Sequence, residues 1–112
     1  MKTVLNDLTF DTNIIGVSSA QLKVNDIVLS IIYGKGTLSG SNTFEISMWM
    51  DDDSGDLIAV SNLVGEKDDG HEVAGWVAEK DINKIIDLMH TDPDRIKRFN
   101  MNSSCTDEYI PL

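Results

Sequence analysis

Residues 79–90 read Glu79-Lys80-Asp81-Ile82-Asn83-Lys84-Ile85-Ile86-Asp87-Leu88-Met89-His90, and their spacing decides the fold class. Ile82, Ile85, Ile86 and Met89 stand at i, i+3, i+4 and i+7, an apolar stripe on one helical face. Lys80, Asp81, Lys84 and Asp87 lie off that stripe. The pattern predicts a helix over about 79–90, near the C-terminal end. Beyond it, Asp92 is a suitable N-cap and Pro93 suits a first helical position. A second, shorter helix is expected from Pro93 to Phe99, with Ile96 and Phe99 inward and Arg95, Lys97 and Arg98 at the negative end of its dipole. The tail from about Asn100 reads as irregular.

Upstream of residue 79 the period is two. Thr43–Met50 places Phe44, Ile46, Met48 and Met50 on one face and Glu45, Ser47 and Trp49 on the other. Ile27–Tyr33 is apolar on both faces, which predicts a central strand covered on both sides. Gln21–Val24 pairs with it across Asn25-Asp26, a two-residue hairpin turn with Asn first. Asp56–Ser61 and His71–Val77 read as further strands, the latter with Glu72, Ala74 and Trp76 on one face. Thr3–Phe10 is read as a strand through Val4, Leu8 and Phe10, against a short helix through Leu5 and Leu8. Strands first and helices last imply an α+β domain. The expectation is an antiparallel sheet of about five strands with one or two C-terminal helices packed on one face. A parallel sheet would need helices interleaved between strands.

The 112 residues suit one domain, 1–112. The listed apolar types make up 41%, enough with the glycines for a globular core. The net charge is −10, with 19 acids against 9 bases, so direct nucleic-acid binding is not expected. No run approaches the ~20 apolar residues of a membrane span. Residues 1–20 carry neither the basic start nor the apolar run of a signal peptide. The single cysteine, Cys105, excludes an internal disulfide and fits a reducing cytoplasm.

Several motifs fail on inspection. Tyr33-Gly34-Lys35-Gly36-Thr37 lacks the spacing of a phosphate loop and reads as a strand-ending turn. Asp51-Asp52-Asp53-Ser54-Gly55-Asp56 has Asp at the sixth position and Asn62 at the twelfth, where a helix-loop-helix calcium site needs Gly and Glu. His71 and His90 show no paired ligand spacing, and no base stands beside Cys105. Neither a metal, a cofactor nor a catalytic set is therefore expected.

The charge is unevenly placed. Residues 51–81 hold ten acids against Lys67 and Lys80, a net of −8, while 1–50 and 82–112 each carry −1. Solubility accounts for negative charge, but crowding it raises self-repulsion that spreading it would avoid. A concentrated patch steers a basic partner. Trp49 falls on the polar face of its strand beside the Asp run, where an aromatic ringed by charge suits a binding hot spot; the alternative is burial under the helices. The expected partner surface comprises Trp49, Asp51, Asp52, Asp53, Asp56, Glu66, Asp68, Asp69 and Glu72. In a meander, the two acidic loops would point to opposite edges of the sheet unless the longer one folds back.

In general profile the chain resembles small acidic immunity proteins, a likeness of type that no motif carries. The functional expectation is a stoichiometric inhibitor in a bacterial cytoplasm. It would be an immunity protein or antitoxin neutralising a basic toxin, a nuclease above all, without catalysis of its own. One alternative is a phage-encoded nucleic-acid mimic acting on a defence nuclease. Another is a small enzyme or ligand-binding module with a dispersed site around His71, Glu72 and Trp76.

Overall fold

Asn25 and Asp26 have φ of 52° and 66°, the left-handed pair of a type I′ turn. They join two eight-residue strands, β2 (Val17–Val24) and β3 (Ile27–Gly34), in full register from Val24↔Ile27 to Val17↔Gly34. The structure, a computed structural model, describes residues 5–64 and 72–100. Among these, a short β1 (Asp11–Thr12), β4 (Thr43–Met50) and β5 (Val73–Ala78) complete an antiparallel sheet in the order β1-β2-β3-β4-β5. Helices α1 (Val60–Leu63), α2 (Glu79–Thr91) and α3 (Pro93–Lys97) supply the second layer. The α+β architecture expected from the sequence is the one observed.

The core lies between one sheet face and the helices. Ile27, Leu29 and Ile31 from β3 and Ile46 and Met48 from β4 meet Ile82, Ile85, Ile86 and Met89 of α2, all at most 1% exposed. Ile96 and Phe99 close the core from the α3 side. Two asparagine side chains tie the layers together: Asn25 Nδ2, from the β2–β3 turn, donates to the Met89 carbonyl at 2.8 Å, and Asn83 Oδ1, on α2, accepts from the Leu5 N–H at 2.8 Å.

Four local expectations are corrected. Leu5–Asp7 is a 3₁₀ turn rather than part of a strand, because Leu5 is drawn into the core beside α2. The stretch Asp56–Ser61 is only briefly extended. Leu57 bridges Trp49, Ile58 bridges Asn100, and the chain turns helical at Val60. Ile58, Ala59, Val60 and Leu63 are all buried there, so a short apolar run satisfies its burial as a turn of helix. Asp92 sits at the α3 N-cap position without a side-chain capping bond; its carbonyl accepts from the Arg95 N–H instead. Finally, β3 is central, but its second face is not covered by a helix among the described residues: Val28 is buried, while Ser30 and Ile32 are half-buried.

Candidate functional site: the outer sheet face and the acidic turn

The parity of β4 sends Ile46, Met48 and Met50 inward, so Trp49 points to the outer face. The sheet register then builds that face row by row. Lys23, Val28, Trp49 and Leu57 lie side by side across four segments. The next row is Gln21, Ser30, Ser47 and Val73. A third row carries Ser19, Ile32 and Glu45. Trp49 is half-buried and Leu57 is 44% exposed.

Trp76 reaches the same face through a β-bulge. Phe44 pairs with Val77 and Ile46 with Ala74, so two residues of β5, Gly75 and Trp76, oppose Glu45 alone. Ala74 and Val77 both point inward, at 1% and 3% exposure, and Trp76 is left outside at 62%. This corrects the expected alternation in which Glu72, Ala74 and Trp76 shared a face. Trp76 has φ of 50°, a left-handed conformation rare for a bulky side chain. Its N–H, displaced from the ladder, donates to the Leu38 carbonyl at 2.8 Å. A Cβ on Gly75 would stand 2.6 Å from the Leu38 Cβ, so glycine is what lets the β3–β4 loop lie against β5.

The Asp51–Asp56 turn joins Trp49 to Leu57 directly, and its carboxylates are at work in building it. Asp52 Oδ1 accepts from Ser54 Oγ at 2.5 Å, from the Ser54 N–H at 3.0 Å and from the Gly55 N–H at 3.3 Å. These bonds, the Ser54 hydroxyl first, hold the Asp52 carboxyl below its ordinary value. Asp51 forms an ion pair with Lys23, whose pKa is raised mainly by that hydrogen bond. Asp56 Oδ2 accepts from Asn100 Nδ2 at 2.9 Å. Asp51, Asp52 and Asp53 are exposed; Asp56 is half-buried.

Leu57 and Val73, which flank the longer acidic stretch, both lie along one edge of β4. Leu57 pairs opposite Trp49 and Val73 opposite Ser47, two residues apart. These two residues therefore meet β4 ~7 Å apart at the strand rise. Glu72, half-buried, precedes Val73 at that point. Glu66, Asp68, Asp69 and His71 lie outside the described residues, as does Cys105. Sequence reasoning missed Val28, Ile32, Leu57 and Val73 as parts of this face. The available signal was the doubly apolar β3, taken as covered on both sides.

No three His, Cys, Asp or Glu side chains converge as metal ligands among the described residues. No helix among them is long and apolar enough to cross a membrane. Nothing matches the chain among protein-family models, curated proteins or solved structures.

Proposed function

We propose that this chain is a stoichiometric inhibitor of the immunity-protein or antitoxin type, closing on a basic toxin, a nuclease above all, in the cytoplasm of the cell that makes it. The observation that carries this reading is the outer sheet face. It brings two tryptophans, Leu57, Val73 and Ile32 onto one side of the sheet, continuous with the exposed Asp51–Asp53 turn. An antiparallel sheet normally turns polar residues to solvent on its free face. An apolar track with charge beside it has the anatomy of a protein interface: aromatic anchors in the centre and a polar rim. A nuclease holds its substrate in a basic cleft, and a surface of opposite sign is drawn into it by steering.

The test takes as target any basic nuclease or toxin found encoded beside this gene. Inhibition should reach its end point at one equivalent of this chain, and the toxin should recover full activity on dissociation. The association rate should fall by roughly 10- to 10³-fold as salt is raised, because screening removes the steering. Trp49→Ala should instead speed dissociation, by roughly 30-fold for a hot-spot residue worth about 2 kcal/mol. A salt-independent association rate, or silencing of a large excess of toxin by a trace of this chain, would overturn the proposal.

A further inference from the structure

A second site lies at the opposite end of the strands from the acidic turn, on the inner side of the sheet. There the 3₁₀ turn, the end of β3, the start of β4 and the start of α2 enclose an open groove of about 390 Å³. Its walls include Leu5, Leu8, Phe10, Tyr33, Phe44 and Glu79. Phe10, Tyr33 and Phe44 are three of the chain's seven aromatic residues. Tyr33 makes edge-to-face contacts with Phe10 at 5.2 Å and with Phe44 at 5.5 Å between ring centroids, and the two phenyl rings stack at 6.3 Å. None of the three is sealed in the core: Phe10 and Phe44 are half-buried and Tyr33 is 37% exposed.

The walls are held in place before any ligand arrives. The bond from the Leu5 N–H to Asn83 Oδ1 fastens the 3₁₀ turn to α2. On the other side, Thr37 Oγ1 donates to the Gly34 carbonyl at 2.7 Å and Thr43 Oγ1 accepts from the Gly40 N–H at 2.6 Å, which fixes the β3–β4 loop. The volume falls in the range of small-molecule sites, and an aromatic and aliphatic wall joined by a few polar groups, here Asn6, Ser41, Thr43 and one charged side chain, is their usual chemistry. The charged group is the exposed carboxylate of Glu79, the sole charged side chain among the groove's described lining residues.

We propose that this groove binds a small organic cation of the arylalkylamine class. The ligand's ring packs on the Phe10–Tyr33–Phe44 wall and its ammonium faces Glu79. The ligand's ring packs edge-to-face or offset on the aromatic wall, and the Glu79 carboxylate attracts the ammonium directly. The chain's net charge of −10 works against an anion of the same size. The site stands on geometry separate from the outer sheet face and does not depend on the inhibitor reading.

The experiment is an amide NMR titration of the full chain with 2-phenylethylamine, its neutral counterpart 2-phenylethanol and the anion 3-phenylpropionate. Shifts should be confined to the groove, at Leu8, Phe10, Gly40 and Glu79, at millimolar ligand. The amine should bind roughly three- to tenfold tighter than the alcohol, with the carboxylate weakest. Glu79→Gln, a change at an exposed position, should erase the amine's advantage and leave the alcohol's affinity unchanged. Tyr33→Leu should weaken amine and alcohol alike. Absence of shifts with all three compounds, equal affinity for amine and alcohol, shifts centred on the tryptophan face, or an amine preference that survives Glu79→Gln would each overturn the proposal.

Discussion

Ile86 and Ile14 are the same residue in opposite surroundings, and truncating each to alanine isolates what burial contributes. Ile86 is 0% exposed in the middle of α2, against the sheet core; Ile14 is 99% exposed in the β1–β2 turn. Each substitution removes three carbon groups. At ~0.8 kcal/mol per buried CH₂, Ile86→Ala loses about 2.4 kcal/mol of transfer energy. The cavity it leaves among close-packed neighbours raises the cost to about 3–4 kcal/mol. A domain of this size is stable by about 5–15 kcal/mol, so that loss is a large share of the total. Urea unfolding followed by tryptophan fluorescence reads it out. With a slope near ~1.5 kcal/mol per molar, the midpoint should fall by about 2 M. Ile14→Ala should stay within about 0.5 kcal/mol of the parent, a midpoint change of about 0.3 M. Equal shifts for the two variants, or a shift below about 0.5 M for Ile86→Ala, would refute the placement of α2 on the sheet.

Gly34 has φ of +124°, and a Cβ there would stand 2.2 Å from the Gly16 carbonyl oxygen. Gly34→Ala should therefore cost about 3 kcal/mol or more by prying β2 from β3. Gly36→Ala, at φ of +82° in open space, should cost only ~1–2 kcal/mol; comparable losses at the two sites would show the close approach to be absent. Asp26→Gly creates the preferred Asn-Gly pair for the type I′ turn and should stabilise by about 0.5 kcal/mol, raising Tm by about 2–4 °C. A lower Tm would contradict the turn assignment. Asp52 should titrate below its ordinary 3.8 in a carboxyl NMR titration, and Ser54→Ala should move it back toward that value. The sign follows from the depressed folded pKa: the turn's contribution is present above the unfolded pKa and lost as pH falls through the lower folded value. An Asp52 that titrates at or above 3.8 would refute the hydrogen-bonded turn.

Periodicity and charge were legible along the chain because each is a property of spacing. The stripe Ile82, Ile85, Ile86, Met89 specifies a helix and the face it buries, and all four are at 0% exposure. Alternation in Thr43–Met50 specifies a strand and its inward face, and Asn25-Asp26 specifies the turn that pairs β2 with β3. Strands before helices then leave an antiparallel α+β fold as the economical arrangement. The concentration of acids in residues 51–81 is likewise a count along the chain. Where the pattern is shorter than one period, or where the alternatives bury equal area, the tertiary structure decided. Leu57-Ile58-Ala59-Val60 is apolar throughout and fits a strand or a helix equally; the core beside β4 and Phe99 made it a bridge followed by a helical turn. One extra residue at Gly75-Trp76 carried Trp76 from the inner face to solvent, since strand parity reverses at every single-residue slip. Val28 and Ile32 become part of an outward apolar face only because the described helices pack on the other side of the sheet. That choice belongs to the assembled layers, and no spacing within β3 contains it.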